Sequence, residues 1–123
     1  MIADTTFLSD LLDERDRGLR GPASTFLHAN RREVVRTTII SVAEIAVLFD
    51  SSHSAWQWLR KWTVYRLHDG IAQTAADLDR QMSQRLGEND NWIAGFCLYY
   101  RQPVISQDAA FDRVPRLRRL AYY

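Results

Sequence analysis

The sequence predicts an α/β fold: a central, mainly parallel sheet of four to five strands with helices covering both faces. Three observations carry this expectation. Short runs of apolar and β-branched residues alternate with segments whose apolar residues recur at the helical period, as at residues 7, 8, 11 and 12. Strands separated by helices need crossover connections, which make neighbouring strands parallel and leave helices on the sheet faces. The 123 residues, 46% hydrophobic and 25% charged, suffice for one core without disulfide or metal staples, and no linker or repeat divides them.

Each element follows in order. Residues 1–4 are an apolar run ending in Asp4, the pattern of a buried strand that delivers an acid to its C-terminal edge. After Thr5 and Thr6 a helix is expected from Phe7, broken by the charged run 13–17 and by Gly18 and Gly21. Pro22 suits the first turn of a second helix reaching about Arg32. Residues 36–41 are rich in β-branched side chains and read as a second strand. Ser41 then caps a helix over 42–49, with Glu44 at capping-box spacing.

Ser51 or Ser52 opens a helix through Leu59, and residues 63–67 read as a third strand. Asp69 caps a long helix to about Leu86, which Gly87 stops. Asn89 and Asp90 open the next helix, with Trp92, Ile93, Phe96, Cys97 and Tyr100 as its apolar stripe. Residues 102–106 are a fourth strand, Asp108 follows with a short helix over 109–111, and residues 120–123 suggest a last edge strand.

The formal net charge of +1 excludes a strongly basic nucleic-acid glue. No apolar run approaches the length of a membrane span, and the first residues lack the basic start and apolar core of a signal peptide. The single cysteine, Cys97, has no internal partner, which fits a cytoplasmic location, and its apolar stripe predicts burial. Fifteen of sixteen basic residues are arginine, either through codon bias or because arginine grips phosphates and carboxylates bidentately. Arg31, Arg32 and Arg36, and the series Arg113, Arg116, Arg118 and Arg119, are local positive patches in either case. His28, His53 and His68 show no ligand spacing. Trp56, Trp58 and Trp62 can serve base stacking, core or dimer packing.

Four acids share one position in this pattern. Asp4 follows strand one, Glu44 lies in the turn after strand two, Asp90 opens the helix before strand four, and Asp108 follows that strand. Parallel strands end on one edge of the sheet, which is where open α/β sheets bind ligands. Clustered carboxylates remain ionised together only beside a cation, and oxygen donors suit Mg²⁺ or Mn²⁺. Such ions assist phosphodiester hydrolysis. Each acid also has a plainer use. Asp4 can cap a helix, Glu44 can complete a box with Ser41, Asp90 can be an N-cap beside Asn89, and Asp112 rivals Asp108 unless it pairs with Arg113 or Arg116.

These residues resemble the PIN-domain family. The motifs are Asp4 followed by two small polar residues, Ser-Val-Ala-Glu-Ile at 41–45, Asn-Asp at 89–90 with Ile-Ala at 93–94, and Ser-x-Asp at 106–108 with Phe-Asp-Arg-Val-Pro at 111–115. The resemblance runs from residue 2 to about Leu117, and the length is similar to VapC-type toxins of bacterial toxin–antitoxin pairs. It implies a three-layer α/β/α fold, one PIN domain over residues 1–123, and Mg²⁺- or Mn²⁺-dependent endoribonuclease activity. It implies Asp4, Glu44, Asp90 and Asp108 as metal and catalytic residues. Thr6 and Ser106 stand where the family has hydroxyl or amide groups that orient a carboxylate, and Arg113 and Arg116 are candidates for holding RNA phosphates. Asn91 and Trp92 intervene before Ile93, where the family usually has a small or aliphatic residue. A VapB-like antitoxin and a homodimer are the implied partners.

Other classes fit less well. A haloacid-dehalogenase-type phosphatase needs an acid at position 6, which is Thr6, and a phospho-receiver needs a lysine after a late strand, whereas Lys61 precedes the third. The remaining alternative is a catalytically weak or inactive PIN-like module that binds RNA or regulates.

Overall fold

The computed structural model describes residues 1–123. Its sheet has five strands, β1 (Ile2–Ala3), β2 (Arg36–Thr38), β3 (Thr63–Tyr65), β4 (Val104–Ile105) and β5 (Arg119–Leu120). Their spatial order is β3-β2-β1-β4-β5, and every pair is parallel. The first strand of the chain is thus the middle of the sheet, with Ile2 opposite both Arg36 and Val104. Six α-helices connect the strands: α1 (Thr5–Asp16), α2 (Pro22–Ala29), α3 (Ile39–Ala46), α4 (Ser52–Leu59), α5 (Asp69–Gln81) and α6 (Glu88–Tyr100). A 3-10 helix, Ala109–Arg113, lies between β4 and β5.

Alternation along the short strands divides the core into two layers. Ile2 and Val104 face one side and pack with Ile71 and Leu78 of α5 and Ile93, Phe96 and Cys97 of α6. Ala3 and Ile105 face the other and pack with Phe7, Leu8, Ile45, Ala55 and Leu59 from α1, α3 and α4. The result is the expected three-layer α/β/α arrangement. Cys97 is buried, as its place in the apolar stripe predicts. The tail is held against α1: Tyr122 meets Phe7 edge-on at 4.8 Å, and its hydroxyl donates to Asp10.

Several boundaries differ from the sequence reading. The β-branched run at 36–41 is strand only to Thr38. Thr38 caps α3 by accepting from the Ser41 amide at 3.2 Å, so Ile39, Ile40 and Ser41 form the first helical turn. Ser41 is therefore not the cap, and Glu44 is not its capping-box partner. The charged run 13–17 does not break α1, which continues through Asp16 because Glu14 turns inward. Its carboxylate accepts from the amides of Gly21, Ala23 and Ser24, each at 2.9 Å, and from the Ser24 hydroxyl. A side chain of α1 thus caps α2. The long helix stops at Gln81 rather than Leu86, and His68, not Asp69, caps it through Nδ1. Gly87 is the N-cap of α6, so Asp90 is its third residue.

Candidate active site

Two of the four acids, Asp4 and Asp108, follow strands, and Glu44 and Asp90 lie in the early turns of α3 and α6. Asp4 follows β1 directly and is 3% exposed. Its Oδ1 accepts from the Phe7 amide at 2.8 Å, so it is indeed the N-cap of α1. A cap occupies one oxygen and leaves the other, so this does not exclude a second use. Burial pushes the Asp4 carboxyl up to about 6. The Ser106 hydroxyl and the Phe7 amide oppose that rise, and the charges of Asp90 and Asp108 add to it.

Asp108 is exposed and also caps: its Oδ1 accepts from the Ala110 amide at 2.9 Å. Ser106 is wholly buried at the end of β4, and its hydroxyl accepts from the Asp108 amide at 2.9 Å. One side chain thus touches the loop carrying the last acid and bears on the first. Asp90 is half-buried in the first turn of α6, where the helix dipole favours a negative charge. Its carboxyl is nevertheless raised by burial, then by the negative charges of Asp108 and Glu44. Glu44 lies in the second turn of α3, half-buried, and accepts from the Thr5 hydroxyl at 2.6 Å.

The structure therefore brings all four acids into one electrostatic neighbourhood at one sheet edge. Each of Asp4 and Asp90 feels two of the others through space. The donors are all carboxylate oxygens, which is the chemistry of a hard divalent cation. No group of three or more His, Cys, Asp or Glu side chains is arranged to hold a metal ion as they stand.

The supporting residues differ from expectation in three places. Thr6 is exposed and makes no side-chain hydrogen bond; its neighbour Thr5 bonds both Glu44 and, at 3.0 Å, the Ser41 hydroxyl. The first turn of a helix points successive side chains about 100° apart, so with α1 starting at Thr5 only Thr5, and not Thr6, faces Glu44. Asp112 pairs with neither Arg113 nor Arg116 but with Arg119, through two bonds of 2.9 Å. Arg119 also donates to the Ser106 carbonyl at 3.2 Å. Arg119 is only 18% exposed and braces the loop between Ser106 and Asp108. The sequence hides this role because Arg119 is one of four arginines spaced closely along the chain, and only the β5 pairing shows which points inward. Arg113 bonds the Ala110 carbonyl of its own turn, and Arg116 lies on a different cleft from the acids.

The PIN domain family model matches residues 1–117, so the chain belongs to the PIN-domain family. The fold agrees with solved structures at low sequence identity. The DNA-bound VapBC from Salmonella typhimurium superposes with a TM-score of 0.82 at 13% identity, covering 99% of this chain and 97% of that one. VapBC2 from Rickettsia felis, bound to a DNA fragment from its promoter, gives 0.81 at 13% identity, covering 99% and 98%. A toxin–antitoxin complex from Klebsiella pneumoniae gives 0.76 at 19% identity, covering 99% and 97%. No curated protein sequence matches this chain significantly. No helix is long and apolar enough to cross a membrane.

Proposed function

We propose that this protein is a Mg²⁺- or Mn²⁺-dependent endoribonuclease, the toxin of a VapBC-type toxin–antitoxin pair, with Asp4, Glu44, Asp90 and Asp108 as its metal site. The observation that carries this reading is the convergence of four carboxylates, two of them held above their ordinary range by burial and by one another. Such an arrangement costs stability and has no structural use beyond capping. Family membership and the resemblance of the fold to VapBC structures support the same reading.

A bound divalent cation would polarise a phosphate oxygen and lower the pKa of a water. The protein's own part is to hold the charge that attracts the cation and to fix its position. Asp4 is the rigid anchor, buried and bonded to the Phe7 amide. Ser106 keeps its carboxylate and the Asp108 loop in fixed relation, and Thr5 orients Glu44. The reaction adds water to phosphorus and breaks the bond to the 3′ oxygen, which takes a proton. The products carry a 5′-phosphate and a 3′-hydroxyl.

The purified protein is expected to cleave RNA with Mg²⁺ or Mn²⁺, to lose activity in EDTA, and to lose it in Asp4→Asn. Equal cleavage by wild type and Asp4→Asn overturns the assignment. A VapB-like antitoxin is the proposed partner, with a homodimer as the working assembly and a cytoplasmic location. Exposed Leu19, Val47, Leu48 and Trp56 are apolar surface for such contacts. The alternative is a PIN-like module that binds RNA or regulates without cutting it. Cleavage that depends on Asp4 separates the two.

A further inference from the structure

A second cleft lies away from the acids. It is a cleft of about 850 Å³ between α5, the C-terminal end of α6 and the segments that lead into β4 and β5. Those segments start the strands, so the cleft lies at the sheet edge opposite the acids. Its lining includes three arginines, Arg101, Arg116 and Arg118, with Thr74 and Gln81 as neutral polar neighbours. None of the three arginines belongs to an ion pair. The one carboxylate on the wall, Asp77, is already paired with Arg80. The cleft therefore holds an uncompensated positive charge in a molecule whose net charge is only +1.

The backbone adds a second observation. Arg101 ends α6 with φ 54°, and Arg116 has φ 68°. Left-handed positions favour glycine or asparagine and strain other residues. Two arginines occupy such positions at one cleft, where glycine would relieve the backbone but remove the charge.

We infer that this cleft binds the phosphodiester backbone of single-stranded RNA, gripping phosphates with Arg101, Arg116 and Arg118 away from the acid edge. The inference rests on the ribonuclease reading for its choice of polyanion. Guanidinium groups form bidentate bonds to phosphate oxygens, and several along one groove suit a repeating anion rather than a single one. The two edges are close. From Gln102 to Ser106 is four residues, about 13 Å of extended chain, so a strand of a few nucleotides could span from cleft to acids. The division of labour is electrostatic: the acid edge repels phosphate without a cation, and the arginine edge holds it.

The test measures binding of a single-stranded RNA oligonucleotide to the full chain in EDTA, across a KCl series. EDTA prevents cleavage and leaves the acid edge repulsive, so binding reports on the arginines. Wild type should bind with affinity that falls steeply with salt. Arg116→Gln/Arg118→Gln should bind about tenfold more weakly, with a salt slope shallower by about 0.7 for each phosphate no longer neutralised. The corresponding double lysine variant should recover most of the affinity, and unchanged melting temperatures should show that all three proteins fold. Unchanged affinity and slope in the glutamine variant overturn the inference. Displacement of the RNA by inorganic phosphate well beyond the effect of KCl at equal ionic strength assigns the cleft to a small phosphorylated ligand and also overturns it. So does equal competition by an acidic peptide. The two readings fail separately. RNA bound through these arginines but never cleaved removes the nuclease; glutamine variants that bind and cleave normally while Asp4→Asn does not cleave remove the cleft.

Discussion

Asp4 is costly to the fold in a way that can be measured. Its folded pKa of about 6 lies above the ordinary carboxyl value of 3.8. A raised acid pKa means the folded state binds its proton more tightly than the unfolded state. Stability from this group is therefore greatest below pH 4 and is lost as pH rises through about 6. Asp4→Asn keeps an oxygen for the Phe7 amide and removes the buried charge. The metal-free variant should be more stable than wild type at pH 7.5, by about 2 kcal/mol in urea denaturation, and the difference should shrink at pH 4.5. A residue that stabilises the protein when neutralised is poorly explained as a cap alone.

Glu14 has the opposite sign. Burial alone would raise its carboxyl, but the Ser24 hydroxyl and the amides of Ser24, Ala23 and Gly21 hold it below the usual range. Its stabilisation is present above the unfolded pKa and is lost as pH falls through the lower folded value. Glu14→Ala leaves the start of α2 uncapped and should cost about 2 kcal/mol at pH 7, with a smaller effect below pH 4. Sequence reading could not find this role. A glutamate within a run of five charged residues looks solvated, and its partners lie seven to ten residues on, beyond the reach of local capping patterns.

Among the elements, the joint between α5 and α6 is the tightest test of packing. A Cβ on Gly95 would meet the Ala75 Cβ at 3.0 Å and its Cα at 3.3 Å. Alanine gains helix propensity of up to about 1 kcal/mol, but Ala75 is short and tied to its backbone, so it cannot step aside. Gly95→Ala should be net destabilising by about 1 kcal/mol in urea denaturation, whereas Gly87→Ala meets nothing within 4 Å and should cost little by steric contact. Arg119 is the corresponding test at the site. Arg119→Met frees Asp112 and the Ser106 carbonyl, so the loop carrying Asp108 should loosen. We expect reduced cleavage and a weaker response to Mn²⁺ with the melting temperature in EDTA changed by only a few degrees; an unaffected metal response would remove Arg119 from the site's support.

The elements also show what a sequence can reveal of itself. Alternation of strands and helices, the five strand locations and the acids after β1 and β4 are legible, because they depend on local periodicity and on caps that coincide with strand ends. The spatial order is not, since nothing local says that β1 lies between β2 and β4. Ile39 and Ile40 read as strand because β-branched residues favour it, yet Thr38 caps there and tertiary packing overrides a weak propensity. Thr5 rather than Thr6 supports Glu44 because α1 begins two residues before its first apolar residue.

At the scale of the whole molecule, the sheet separates two charges. Its C-terminal edge carries four acids and its opposite edge carries three arginines without acidic partners, so the near-neutral net charge conceals a polar axis. The central claim is that the acids form a divalent-cation site, and a melting curve at pH 7.5 with and without Mn²⁺ tests it most directly. Mn²⁺ should raise the melting temperature of wild type by several degrees, because binding to the folded state alone stabilises it. The increase should vanish in Asp4→Asn and Asp90→Asn, although Asp4→Asn starts from a higher value. No response in wild type, or an equal response in all three proteins, contradicts the account.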